Sequence, residues 1–304
     1  MKPKIFVILG PTAVGKSDIA LALAERFNGE IVNADSQQVY RYMNIGTGKA
    51  SMAARERVPH HLIDIVDPDE DFNVALFRRL SMAAIDEIHS RGRKAFICGG
   101  TGLYLKALTQ GLFEGPGQDR AIREDLEKEI AGHGLRFLYT RLAQIDPAAT
   151  SAIHPNDRQR IIRVLEVYQL TGKPLSAWQH QHAFHEDPFR VLKIGLNRER
   201  SELYDLINRR CEVMVRSGLL EEVCALVGNG YSLDLRPLKS VGYRQMGAVL
   251  TGKMNLAEAL KEMKQETRHL AKRQLTWFRR DDAILWLHPE RQKPEIFQAA
   301  EKFF

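Results

Sequence analysis

Apolar positions in the first third of the chain change period in a regular way. Ile5 to Leu9 is a short uninterrupted apolar run that stops at Gly10, the pattern of a strand buried on both faces. Ile19, Leu23 and Phe27 then recur at i, i+4 and i+8, which is one face of a helix, and Asn28-Gly29 ends it. Glu30 to Ala34 predicts a second strand. Asn73 can cap a helix that turns Val74, Phe77, Ala84 and Ile88 inward, with Gly92 as its stop. Lys94 to Cys98 predicts a third strand, running into Gly99-Gly100-Thr101-Gly102. Strands that alternate with helices in this way predict an α/β fold whose parallel sheet is covered by helices.

The texture then changes. Gly111 to Gly117 is a Gly/Pro-rich joint, and from about Asp119 to His182 every apolar pattern is helical. Ile122, Leu126 and Ile130 mark one helix, Leu135 to Ile145 another, and Ile161, Leu165 and Tyr168 a third that Gly172 ends. Val191 to Leu196 predicts a strand again, and long helices follow near Ser201–Ser217, Leu219–Gly228 and Leu256–Phe278. The expected organisation is a parallel-sheet core of residues 1–111 and 189–304, interrupted by an all-helical insertion domain of residues 112–188.

Composition narrows the class. Of 304 residues, 44% are hydrophobic and 27% charged, which excludes a disordered chain and supplies a sizeable core. The three cysteines, Cys98, Cys211 and Cys224, form no C-x-x-C pair and no even disulfide framework, so a reduced, cytoplasmic protein with packing cysteines is expected. The opening apolar run is too short for a signal peptide, and no run of roughly 18 apolar residues is present to cross a membrane. The net charge of +6 permits a polyanionic partner without demanding one.

Gly10-Pro11-Thr12-Ala13-Val14-Gly15-Lys16-Ser17 fits the phosphate-loop pattern G-x-x-x-x-G-K-[ST], and it sits where that pattern works, after a strand and at the start of a helix. Backbone N–H groups in such a loop close around phosphate oxygens, and the helix N-terminus adds partial positive charge. Lys16 would neutralise the terminal phosphate and the Ser17 hydroxyl would ligate Mg²⁺. This motif specifies a pyrophosphate or polyphosphate and does not by itself specify a nucleotide. A hydrolysing NTPase usually ends a neighbouring strand with a Mg²⁺-binding Asp, yet the third strand here runs into Gly-Gly-Thr. The carboxylate at a strand end is instead Asp35, which faces the same crevice if the sheet is parallel. It suits general-base or hydrogen-bond work on an acceptor, or a helix N-cap or indirect Mg²⁺ ligand.

Eight segments in order resemble one family. They are GPTAVGKS (10–17), NADSQQVYR (33–41), HHLID (60–64), CGGTGLY (98–104), NDRQRIIRVLEV (156–167), RCEVM (210–214), VGYRQM (241–246) and ETRHLAKRQLTWFRR (266–280). Together they are similar to the tRNA dimethylallyltransferases, also called tRNA isopentenyltransferases. One departure is Gly46-Thr47-Gly48-Lys49-Ala50, where the family often reads G-T-A-K-P, so the conformation of this loop is the open point.

The resemblance implies a phosphate-loop α/β enzyme that moves a dimethylallyl group from dimethylallyl diphosphate to N6 of adenosine 37, beside a tRNA anticodon. It implies that the phosphate loop holds the leaving diphosphate, with Lys16, Arg210 and Mg²⁺ on Ser17 stabilising its charge. Asp35 stands at the position of the base, and Thr101 would contact the same amine or the diphosphate, unless it is a simple turn hydroxyl. An adenine in a stacked anticodon loop must turn out to reach such a site. Ser36, Gln37 and Gln38 could then bond base edges, joining Asp35 and Thr101 in the tRNA-binding set. From the insertion, Arg123 and the run Gln159, Arg160, Ile161, Ile162 and Arg163 would meet the anticodon stem-loop, with a solvated charged face as the plain alternative. A monomer is expected.

Residues 261–280 hold seven basic against two acidic residues, with Trp277 and Phe278 beside them, whereas residues 1–110 are near balance at 14 basic against 12 acidic. That helix is a plausible phosphate-backbone track or an amphipathic surface helix. His180, His182 and His185 cluster in a predicted exposed loop without the paired motif of a metal site. Two other activities remain open on the residues alone: a phosphate-loop kinase of a nucleoside or small metabolite, and prenyl transfer to free AMP. A non-catalytic RNA-binding module is the third.

Overall fold

A computed structural model describes residues 2–112, 115–182 and 187–304. The chain folds into two compact units, Met1–Thr109 with Asp187–Phe304, and Gln110–Glu186.

The first unit is built on a six-stranded sheet. In chain order its elements are β1 (Lys4–Leu9), α1 (Lys16–Arg26), β2 (Gly29–Asn33), α2 (Met52–Arg57), β3 (His60–His61), α3 (Val74–Ser90), β4 (Lys94–Gly99) and α4 (Gly102–Gln110). Every strand pairs in parallel, in the order β3-β2-β4-β1-β5-β6 once β5 (Arg190–Leu196) and β6 (Ile284–Leu287) are included. β1 is central, flanked by β4 (Ile5↔Ala95 to Leu9↔Gly99) and by β5 (Lys4↔Arg190 to Leu9↔Gly195), and Ile5 to Leu9 are all buried. A parallel strand covered on both faces needs an unbroken apolar run, which is why Ile5–Leu9 shows no alternation. The chain leaves β1 toward β2 on one side and returns to β5 on the other, so the carboxyl end of β1 is the crevice where parallel sheets bind ligands.

Helix signals hold closely. α1 buries Ile19, Ala20, Leu23 and Ala24, and Asn73 caps α3 by accepting from the Leu76 N–H at 3.0 Å. The C-terminal helices α10 (Arg200–Arg216), α11 (Leu219–Gly228), α12 (Tyr243–Leu250) and α13 (Leu256–Phe278) share the core of this unit, followed by β6 and α14 (Lys293–Phe303). β6, α12, α14 and the short α2 and β3 have no counterpart in the sequence reading. β6 is four residues and β3 two, too short for a period to register.

The second unit is helical: α5 (Arg120–His133), α6 (Leu135–Ile145), α7 (Pro147–Ala152), α8 (Arg158–Thr171) and α9 (Leu175–His182). Leu126, Leu138, Leu142, Ile161, Ile162, Val164 and Leu165 form its own core. Asp119, Asp146 and Asp157 cap α5, α7 and α8 by accepting from backbone N–H groups. His185 lies outside the described residues. Among the described residues no cluster of three His, Cys, Asp or Glu could hold a metal ion, and no helix is long and apolar enough to cross a membrane.

Candidate active site

The phosphate loop takes the shape its glycines permit. Gly10 has φ 144° and Gly15 φ 103°, and a Cβ on Gly10 would lie 2.6 Å from the Leu196 carbonyl oxygen, so only glycine fits against β5. Lys16 opens α1 and donates to the Pro11 carbonyl at 2.7 Å, arching over the loop. Behind the loop, the nearly buried Arg198 donates to the Val14 carbonyl at 3.2 Å and is itself paired with Glu202 and Glu290. Burial lowers the Lys16 ammonium to about 8, with the Asp35 carboxylate pulling it up and Arg210 pushing it down. The Cys98 thiol, buried beside it, is pushed up to about 12 and stays neutral.

Asp35 and Thr101 come from neighbouring strands. β2 and β4 end together, with the Ala34 N–H donating to the Cys98 carbonyl at 2.8 Å and the Thr101 N–H to the Ala34 carbonyl at 3.2 Å. A Cβ on Gly99 would lie 2.1 Å from the Ala34 oxygen, so glycine is what lets the two strand ends close up. The Thr101 hydroxyl accepts from the Ser36 N–H at 3.1 Å, and Asp35 Oδ1 accepts from the Gln37 N–H at 2.8 Å. Asp35 is thus held in a tight turn with its second oxygen left over. Gln37 Oε1 is buried without a hydrogen-bond partner, and Gln38 donates to the Thr47 and Gly48 carbonyls at 3.2 and 3.5 Å.

Arg210, on α10, faces this group. Its burial lowers it, and Asp35 pulls it back up. Gly48 settles the conformation of the 46–50 loop: it has φ 60°, and a Cβ there would lie 2.1 Å from Arg210 Nη2. The glycine makes room for the guanidinium. The loop itself is clamped by Glu222 of α11, which accepts from the N–H groups of Asn44, Ile45 and Gly46 at 2.8 to 3.2 Å and from the Tyr243 hydroxyl at 2.5 Å.

These groups meet in one cavity of about 760 Å³. Lys16, Ser17, Asp35, Gln37, Gln38 and Arg210 line it, and Leu206, Met214, Val241, Met263 and Leu270 supply an apolar wall. Thr101 is not among the lining residues, whereas Cys98 and Gly99 just before it are. The lining thus brings cations, loop residues, hydrogen-bond acceptors and an apolar surface into one cavity. Gln274 of α13 also lines it, bonded to Thr12 and Gly100. Sequence reasoning singled out neither Gln274 nor Glu222, since a lone Gln or Glu on a charged helix carries no signal of what it reaches.

The RNA-binding candidates of the insertion separate into two groups. Gln159 and Arg160 are exposed on the first turn of α8, Arg160 against Asp157 at 3.3 Å. Arg123 and Arg163 instead both grip Glu166, at 2.7 Å each, and Glu166 is fully buried. Arg163 also donates to the Pro116 and Gly117 carbonyls. Ile161 and Ile162 are buried in the insertion core, which removes their side chains from any RNA-facing set. Among the residues near the C-terminal basic stretch, Phe278 is buried and Trp277 half-exposed against Gly102. Cys98 and Cys211 pack as expected, but Cys224 is exposed.

Comparison with known proteins gives a consistent picture. A family model described as IPP transferase matches residues 38–281, and one described as isopentenyl transferase matches residues 3–63. A tRNA dimethylallyltransferase 2 of Geotalea uraniireducens is 52% identical over 290 residues, spanning 95% of this chain and 94% of the relative. A tRNA dimethylallyltransferase of Geobacter metallireducens is 51% identical across 100% of this chain and 98% of its own. Among solved structures, a tRNA isopentenylpyrophosphate transferase of Bacillus halodurans superposes with a TM-score of 0.73 at 41% identity, covering 99% of this chain and 95% of that one. A eukaryotic dimethylallyltransferase described as acting on tRNA gives 0.82 at 30% identity, covering 99% and 77%.

Proposed function

The chain belongs to the IPP transferase family, and from that premise we propose that it is a tRNA dimethylallyltransferase, transferring the dimethylallyl group of dimethylallyl diphosphate to N6 of adenosine 37. The observation that carries the reading is one cavity lined together by the cations Lys16 and Arg210, the acceptors Asp35 and Gln37 and an apolar wall. Lys16 and Arg210 with the loop amides suit a diphosphate, and the apolar wall suits a short prenyl chain. Asp35, Thr101 and the unpartnered Gln37 Oε1 suit an exocyclic amine, which has hydrogens to donate.

The chemistry balances within this site. The adenine N6 forms a bond to C1 of the dimethylallyl group while the bond from C1 to the diphosphate oxygen breaks and the diphosphate keeps the electron pair. The proton released by N6 passes to Asp35. Lys16 and Arg210 stabilise the charge gathering on the leaving group, where fixed cations act most strongly. Ser17 stands on the first turn of α1 and lines the cavity, so its hydroxyl would be the group to hold a Mg²⁺ ion beside the diphosphate. Bound there, the ion would add Lewis-acid stabilisation of the diphosphate.

The acceptor has to be turned out of its stack to enter, and Ser36, Gln37 and Gln38, which follow Asp35 directly, would read its edge. Gln159 and Arg160 on the insertion are the exposed candidates for the anticodon stem-loop, and Arg123 and Arg163 support them by holding α5 and α8 to Glu166. One chain carries every residue invoked, so a monomer suffices, and the unpaired cysteines suit the reducing cytoplasm.

The deciding experiment incubates the protein with Mg²⁺, dimethylallyl diphosphate and an anticodon stem-loop containing adenosine 37, then identifies the nucleosides by mass spectrometry. N6-(dimethylallyl)adenosine with release of diphosphate is expected. Transfer to free AMP in preference to the stem-loop, or phosphoryl transfer from ATP, would overturn the assignment.

A further inference from the structure

The phosphate loop and the Gly100-Thr101 turn leave from different strands, and the ladder that aligns them ends at the Leu9↔Gly99 pair. Beyond it, one side chain spans the gap. Gln274 Oε1 accepts from the Thr12 N–H at 2.8 Å, and Gln274 Nε2 donates to the Gly100 carbonyl at 3.0 Å. Gly100 is shaped for this, because a Cβ there would lie 2.4 Å from Nε2. Thr101 follows directly and accepts from Ser36, the neighbour of Asp35. A continuous path therefore runs from the diphosphate loop through Gln274 to the acceptor turn. Both ends of the amide are used, one as acceptor and one as donor, which an ionised carboxylate or an aliphatic side chain of that length does not supply.

We infer that Gln274 is a positioning residue that sets the separation between the leaving diphosphate and the acceptor amine. It rests on the prenyl-transfer reading above. Displacement of one reacting group by about 1 Å can cost on the order of 10²-fold in rate without weakening binding of either substrate. Gln274 therefore acts on the rate of transfer, while each half-site keeps its own contacts: Lys16 and Arg210 for the diphosphate, Asp35 and Thr101 for the amine.

Two variants test this. Gln274→Met keeps the length and removes both hydrogen bonds. Its single-turnover rate should fall roughly 10- to 100-fold, with dissociation constants for dimethylallyl diphosphate and for the stem-loop within about twofold of wild type. Gln274→Glu keeps the acceptor for Thr12 but, ionised, sets a second oxygen against the Gly100 carbonyl. Protonation restores a donor, so its rate relative to wild type should climb as the pH is lowered through the titration of the introduced carboxyl. This ratio follows one folded protein across pH, so it stands even if the methionine variant folds poorly. A wild-type rate for Gln274→Met, a loss confined to substrate affinity, or a Gln274→Glu ratio that is flat with pH would overturn the inference. Absence of transfer by the wild-type protein itself would instead overturn the reaction, and that control is read first.

Discussion

Lys16 carries a pH dependence set by its surroundings. Burial brings its ammonium from an ordinary 10.5 to about 8, so it is mostly charged at neutral pH and loses its proton within the range an assay can reach. Only the charged form neutralises a diphosphate. Affinity for pyrophosphate should hold below about pH 8 and fall above it, as measured by calorimetry, and the break should vanish in Lys16→Ala; a profile flat to about pH 10 would remove Lys16 from the cradle. The same shift acts on stability with a definite sign. The unfolded chain binds this proton more tightly, so Lys16 penalises folding fully below about pH 8, and the penalty fades as the pH rises toward 10.5. Asp35 answers to a different measurement. Asp35→Asn should leave pyrophosphate affinity intact and lower turnover by about 10²- to 10⁴-fold, the usual worth of a positioned base. Turnover close to wild type would show that N6 gives up its proton elsewhere.

At the scale of elements, α5 and α8 are joined by a buried charge. Glu166 accepts from Arg123, Arg163 and the Asp119 N–H, and these bonds hold its carboxyl below the ordinary range against the opposing effect of burial. Removing Glu166 leaves Arg123 and Arg163, each about a third exposed, without their shared partner; water re-solvates them in part, so the cost falls below the ~3–5 kcal/mol of a fully buried network. Glu166→Ala should therefore lower the unfolding midpoint of the helical insertion, while pyrophosphate binding in the α/β unit is kept. Hydrogen exchange distinguishes the two: uniform loss of protection across both units would show that the insertion does not fold as its own unit. The pair Arg123 and Arg163 also shows how the stripe on α8 misleads. Spacing places Gln159, Arg160 and Arg163 near one another, but Arg163 spends its guanidinium on Glu166 and two carbonyls, leaving Arg160 the freer cation.

Across the whole molecule, charge is distributed by role. The chain's excess is +6, and the stretch 261–280 alone holds seven basic residues against two acidic. Arg279 and Arg280 are exposed at the end of α13, whereas Lys264 pairs with Glu212 at 2.5 Å and Arg268 donates to Asn208 at 2.7 Å. If the exposed cations track RNA phosphates, removing Arg160, Arg279 and Arg280 together should flatten the slope of log affinity against log salt by about two to three. An unchanged slope would make these residues ordinary surface charge. The strands β1, β2, β4 and β5, the helices α1, α3 and α8, the phosphate loop and the Asp35 position are all legible in the sequence. Each rests on neighbours within a few turns, where period, caps and glycine placement act directly on the backbone. The cavity is different. Gln274 reaches Thr12 across 262 residues and Gly100 across 174, Glu222 clamps a loop 176 to 178 residues away, and Gly48 is required by a guanidinium on α10. Those contacts follow from how helices pack on a sheet, and a sequence pattern has no term for it. The sequence by itself determined the fold class and the phosphate-loop pattern at the end of β1. Only the tertiary structure decided which distant side chains meet at the cavity, because a side-chain hydrogen bond is fixed by position in space and leaves no periodic trace along the chain.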